Sequence, residues 1–310
     1  MPEDFRRFKK LAALLKMETV EGTDATPTGL ANFIQLSDVT FTPMAGDEEA
    51  RNLMQPKLGH QGVYLTGNYI QAQFSVEMAG SGVLGTPPAW GPLLRSCGFA
   101  ETITVATDVQ YDLVHDNFES STLYWNEDKV RHIALGVRGT ATLSFIPKKI
   151  PRFQFTLKGL EGTITDTALP TVDRSMWIDA VPVSKAVTTM SLHGWPAVSE
   201  SLNLDLANQV VPRHLIGKEN VAITDRQATG TTVVEAKTLA TINWFAIAKA
   251  HTKGPLALTH GNVVGNRVGV TADAIQIGRP ASGQTDNIRN YSLPLMVTSL
   301  GSNELKITVT

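Results

Sequence analysis

The sequence predicts a mainly β protein that carries one arrangement of strands, long loop and short helix twice in tandem. Three observations predict it. Alternation of apolar and polar residues with period two dominates the chain, few segments support a long helix, and the order of elements in the first half returns in the second. At 310 residues the chain can bury one large core or two ordinary ones, and two are expected. Its 42% hydrophobic and 18% charged residues mark a folded chain rather than a disordered one.

Taken in order, the N-terminal "MPEDFRRFKKLAALLKM" sets basic residues before Leu11 to Leu15. Five apolar residues are too few for a signal-peptide core or a membrane span. A short amphipathic helix is expected there, in an arm over residues 1–35, with synthesis in a cytoplasm. The first β domain is placed at 36–164. In "YIQAQFSVE", Ile70, Ala72, Phe74 and Val76 oppose Gln71, Gln73, Ser75 and Glu77; "VRGTATLSF" sets Val137, Ala141, Leu143 and Phe145 against Arg138, Thr140, Thr142 and Ser144; "RFQFTLK" sets Phe153, Phe155 and Leu157 against Arg152, Gln154, Thr156 and Lys158. Each is a strand with one apolar and one wet face. The segment 165–198, rich in proline and without a clear period, is expected to be a linker or strap anchored by Met176-Trp177-Ile178.

The second β domain is placed at 199–310. Arg51-Asn52-Leu53 lines up with Arg213-His214-Leu215, Leu65-Thr66 with Ile223-Thr224, Val76-Glu77 with Val234-Glu235, and Trp90 with Trp244. The second wet face then holds Thr229, Thr231 and Glu235, with Asn203 and Asp205 on the preceding strand. Each copy carries a long loop, Pro43 to Val63 and Ala207 to Asn220, and loops of that length are usually functional.

Chemistry is sparse. Gly80, Gly82 and Gly85 form a GxGxxG, the pattern that cradles a dinucleotide pyrophosphate at a helix N-terminus. Here Thr86-Pro87-Pro88 follows at once and prevents a helix from starting, and the second copy joins the same elements with Lys237 to Thr241 and no glycine. The motif is read as a local insertion in which Gly82→Ala has little effect on assembly. The single cysteine, Cys97, excludes an intramolecular disulfide and reads as a structural thiol before a Gly98 cap. Seven scattered histidines lack metal-ligand spacing and read as surface or loop residues. Asp47, Glu48 and Glu49 beside Arg51 read as a solvated charge run. No catalytic residue, metal or cofactor is expected. The net charge of −2 argues against a protein held on nucleic acid by a basic face.

The strings "LAALLKMETVEGTDATPTGLANFIQLSDVTFTP", "AGSGVLGTPPAWGPLLRSCGFAET" with "FESSTLYWNEDKV", and "ESLNLDLANQVVPRHLIGKENVAITDR" resemble the major tail tube proteins of long-tailed, non-contractile bacteriophages. The resemblance implies two tandem tail-tube-like β-sandwich or half-barrel units, each with a flanking helix, whose inner sheets join around a ring. Stacked rings would form the conduit for the genome. It further implies self-association, contact with a tape measure protein and tail-end proteins, double-stranded DNA in transit without specific binding, no membrane, and a place in the virion after assembly in the host cytoplasm.

Within that expectation Gln71, Gln73, Ser75, Glu77, Thr140, Thr142, Ser144, Gln154, Thr156, Asn203, Asp205, Thr229, Thr231 and Glu235 are lumen-lining candidates. Neutral or acidic walls let phosphates slide, whereas lysine and arginine hold them. Asp47, Glu48, Glu49, Arg51, Arg213 and Lys218 are inter-ring contact candidates. Arg138, Arg152 and Lys158 share the wet faces and oppose positions near Ala272, Ser292 and Thr298, none of them basic. If each chain supplies two units, three chains complete a circle that single-unit subunits close with six, so a trimeric ring with pseudo-six-fold symmetry is expected and a hexamer is the alternative. A receptor- or carbohydrate-binding virion protein is the competing function.

Overall fold

The computed structural model describes residues 5–299 and 304–310. In chain order the elements are β1 (Leu11–Met17), α1 (Gly29–Asn32), β2 (Phe33–Ile34), β3 (Ser37–Ala50), β4 (Val63–Glu77), α2 (Gly91–Ser96), β5 (Phe99–Thr104), β6 (Asp108–Leu113), β7 (Ser121–Glu127), β8 (Val130–Phe145) and β9 (Arg152–Asp166). They continue with β10 (Thr188–Leu192), β11 (Trp195–Pro196), β12 (Ser199–Asp205), β13 (Asn208–Leu215), β14 (Lys218–Arg226), β15 (Thr229–Glu235), α3 (Trp244–Lys249), β16 (Lys253–His260), β17 (Val268–Ile277), β18 (Ala281–Thr285), β19 (Ile288–Val297) and β20 (Lys306–Val309). The fold is mainly β, with large antiparallel sheets. No helix among the described residues is long and apolar enough to cross a membrane.

Period-two alternation in β4, β8 and β9 becomes a curved sheet with one face packed. Ile70, Ala72, Phe74, Ala141, Leu143, Phe153, Phe155 and Leu157 are buried on that face, and the same core takes in Leu202, Leu204, Leu293 and Leu295 from the C-terminal half. Trp90, Trp125 and Trp244 are its largest fully buried side chains. Antiparallel pairing runs without a break through β3, β4, β9, β8, β12, β15, β19 and β18. The halves meet where β8 pairs with β12, Leu143 opposite Leu204 and Phe145 opposite Leu202. A second junction is β20, which lies between β17 and β6.

Three expectations need correction. Leu11 to Leu15 form strand β1, paired with β7 and β2 rather than coiled into a helix. Ala12 to Leu15 are buried on both faces, so the run has no polar side by which a helix or strand period could be told. The long loops are largely hairpin arms. β3 continues to Ala50 opposite Val63 of β4, and β13 and β14 pair from Asn208–Arg226 to Leu215–Lys218. Their polar sequences hide the strands because neither arm has a wholly apolar face. The strap is shorter than expected, since β9 reaches Asp166 and β10 and β11 fall inside 165–198; within it, the Trp177 indole N–H donates to the Phe33 carbonyl at 3.0 Å.

Candidate luminal face and assembly edges

Register brings the wet-face residues of both halves onto one side of one sheet. Ser75 stands opposite Gln154, Gln154 opposite Thr142, Thr142 opposite Asp205 and Asp205 opposite Thr229. The neighbouring row runs Glu77, Arg152, Ser144, Asn203, Thr231. Gln73, Thr156 and Thr140 make a shorter row, and Glu235 faces Asn290. Across the seam the Ser144 hydroxyl donates to Asn203 Oδ1 at 2.7 Å. Thr229, Thr231 and Gln154 are exposed and most of the others half-buried, while Ser75 is buried.

The charges on this face are mostly acidic or paired. Arg152 bonds Asp38 at 2.7 Å and lies 3.8 Å from Glu77, and Glu235 holds Lys237 at 2.5 Å. Arg138 and Lys158, which alternation puts on the same face, are covered by the β13–β14 arm. Val210, Val221 and Ile223 of that arm cluster with Phe118 and Leu160. The Lys158 ammonium donates to the Val210 carbonyl at 3.1 Å. Arg138 is buried and donates to Glu21 at 2.7 Å, to the Phe118 and Glu119 carbonyls, and to the Val221 carbonyl. These cations hold the arm down and are withdrawn from the open face.

The inter-ring candidates lie along the two arms. Asp47, Glu48 and Glu49 oppose Thr66, Leu65 and Tyr64, and Arg51 donates to the Tyr64 hydroxyl at 3.2 Å. Arg213 opposes Asn220, and Lys218 opposes Leu215 beside the β13–β14 turn. The tip of the second arm lies against the first, where a Cβ on Gly67 would lie 3.2 Å from the His214 ring. Met54 and Leu58 at the tip of the first arm are fully exposed.

Two features escaped the sequence reading, namely the unpaired edges. Among the described residues β3 pairs with β4 alone and β18 with β19 alone, and all five β18 residues are exposed. Asp286-Asn287, both with positive φ, close the β18–β19 hairpin, and an Asp-Asn pair between two short runs is a hairpin signal.

The glycine motif has a mechanical role. The Gly80 N–H donates to Asn266 Oδ1 at 2.5 Å and the Gly82 N–H to the Gly265 carbonyl at 2.9 Å. A Cβ on Gly80 would overlap the Gly265 carbonyl oxygen. The loop is therefore a close backbone contact between the two halves rather than an insertion free of the rest. Cys97 caps α2 and is fully buried, and burial pushes its thiol pKa up, away from reactivity. His132 and His260 are buried strand residues rather than surface ones. Among the described residues no three His, Cys, Asp or Glu side chains gather where they could hold a metal ion.

No curated protein matches the chain. The phage tail tube protein family, in contrast, matches residues 10–297, which takes in both halves, the β8–β12 seam and the whole wet face. The chain belongs to the phage tail tube protein family.

Proposed function

We propose that copies of this chain close edge to edge into rings, that the rings stack into the tail tube, and that the wet face of the β3-to-β18 sheet lines the lumen through which double-stranded DNA leaves the capsid. The observation that carries this reading is the unbroken antiparallel sheet with one neutral-to-acidic polar face and, among the described residues, an unpaired strand at each end. An open edge of that kind is a template for pairing with another chain, and closure into a ring removes it. A wall of hydroxyls, amides and carboxylates offers phosphates few sites to displace counterions, so DNA slides. The protein acts as structure, without catalysis or a bound cofactor, and meets the tape measure protein inside the tube and tail-end proteins at its ends. The arms are the segments that reach a neighbouring subunit or ring.

The ring is proposed to be a trimer with pseudo-six-fold symmetry, built from units at 36–164 and 199–310. Its support is a recurring series of pairings: β1, β7, β8, β9, β4, β3 in the first half and β10, β16, β17, β19, β15, β12 in the second. Matched by register, Arg152 stands where the second half has Asn290 and Lys158 where it has Met296, which replaces Ser292 and Thr298 as their counterparts. A receptor- or carbohydrate-binding role draws no support, because all five tryptophans are buried or packed against the core.

Electron microscopy of the purified protein tests the function. Rings or tubes with a central channel are expected; monomers that stay monomeric at every concentration would overturn the reading.

A further inference from the structure

The β3 end of the sheet opens onto a cleft of about 1060 Å³. Leu11, Val39, Phe41 and Trp125 line it, Phe41 stacked on Trp125 with ring centroids 4.6 Å apart, and Arg6, Lys9 and Arg174 stand on its rim. At the β8–β12 seam inside the chain a comparable place is filled. There Phe145 packs near His260, ring centroids 6.3 Å apart. The turn that follows is fastened to the strap: the Lys148 N–H donates to the Val183 carbonyl and the Val183 N–H to the Lys149 carbonyl, both at 2.9 Å.

Register relates the two places. Leu11 faces Glu127 as Thr188 faces His260, so Arg6 stands where the second half has Val183, five residues earlier in each case. Gln154 faces Thr142 as Ser292 faces Ala281, so β18 stands where the first half has the end of β8, and the Asp286-Asn287 turn where it has Lys148-Lys149.

We infer that the cleft is a socket for the β18–β19 hairpin of a second copy of this chain. β18 adds antiparallel to β3 with Ala281 opposite Thr42, as Thr142 lies opposite Asp205 within the chain, and the Asp286-Asn287 turn reaches the Arg6 and Lys9 rim. The inference rests on the ring reading and names the surfaces that close the ring. Three observations favour this occupant. Ile288, beside the turn, is 56% exposed and would be buried against the apolar floor. The hairpin is set in advance, because the Asn287 N–H is held by Gln284 Oε1 at 3.0 Å and Glu200 accepts from Thr285 at 2.7 Å and Asn290 at 3.0 Å, so little ordering entropy is lost on docking. The charges are also matched by seam. The internal seam joins the lysine turn to the neutral Val183, whereas the open socket sets Arg6, Arg7, Lys9 and Arg174 against Asp38 and Glu127, Arg6 lying 3.8 Å from Glu127, and so is net positive, while the free turn carries Asp286. A lysine turn offered to the socket would meet like charge, so only the β18–β19 end of a copy fits, and the halves must alternate around the ring.

The test is a cysteine pair, Thr42→Cys with Ala281→Cys, in the full chain. Antiparallel partners lie at distances that a disulfide spans, and the native Cys97 is buried. Oxidised rings or tubes are expected to yield covalently linked chains on a non-reducing gel. Thr42→Cys with Ser282→Cys, which turns the second thiol to the other face, should yield none. Asp286→Lys should slow assembly about tenfold while the monomer keeps its melting temperature, and Asp286→Asn, which suits the turn but lacks the charge, should fall between. Normal tubes without the Thr42–Ala281 link would overturn the socket and leave the ring standing. Unchanged assembly of Asp286→Lys would overturn the charge matching. Failure of the wild-type chain to form rings would overturn the ring reading itself.

Discussion

Arg138 is the side chain that ties the most distant segments together. Its guanidinium joins Glu21, the carbonyls of Phe118 and Glu119 and the carbonyl of Val221 on the arm, and it is only 7% exposed. Removing one member of such a buried set leaves the rest unpaired, so Arg138→Met should cost about 3 kcal/mol in urea unfolding. A loss near zero would show that the arm is held by Val210, Val221 and Ile223 alone. Three histidines set the pH response. Burial holds His132, His193 and His260 below the ordinary 6.5. The unfolded chain therefore binds more protons than the folded one at mildly acid pH, and stability present above pH 6.5 is lost as the pH falls. The melting temperature should drop between pH 7.5 and 5.5. His260→Gln, whose amide can still serve the Thr188 hydroxyl and the Val181 carbonyl that His260 contacts, should flatten that drop; an identical slope would assign it elsewhere. Glu21 acts in a lower window. Burial works to raise its carboxyl, but the hydrogen bond and charge of Arg138 outweigh it, so the stability from this pair is lost only as the pH falls below about 4.5.

At the scale of elements, the first arm is expected to serve assembly and the glycine loop folding. The arm tip makes no core contact, with Met54 and Leu58 fully exposed. Replacing residues 46–61 by a short turn should leave a soluble monomer with an unchanged melting temperature that no longer polymerises, as sedimentation would show; normal tubes would remove the arm from assembly. The loop behaves in the opposite way. Gly80→Ala drives a Cβ into the Gly265 carbonyl and should cost about 2 kcal/mol by overpacking. Gly82→Ala has room beside Ile178 but must hold φ at +80°, for about 1 kcal/mol. These elements also show what a sequence can reveal. β4, β8 and β9 were legible because alternate residues meet the core, and the wet face followed from the same alternation. β1 was not, because both its faces are buried. The acidic outer reach of β3 was not, because nothing apolar packs there. The packing of His132 against Phe41, the burial of His260, and the covering of Arg138 and Lys158 depend on partners more than 50 residues away, which no local pattern reveals.

For the whole molecule, one sheet crosses both halves and, among the described residues, is left open at β3 and β18. In the proposed trimer, three copies joined through those edges would give six sandwich faces to the lumen and no free edge, and the unlike residues at corresponding positions, Arg152 against Asn290, would leave the channel three-fold in charge. Cryo-electron microscopy of the tube with no symmetry imposed tests this most directly. The account predicts three chains per ring, the halves alternating around a continuous β-barrel with β18 of each chain beside β3 of the next. Six chains per ring, with the residues after Glu200 outside the barrel, would contradict it.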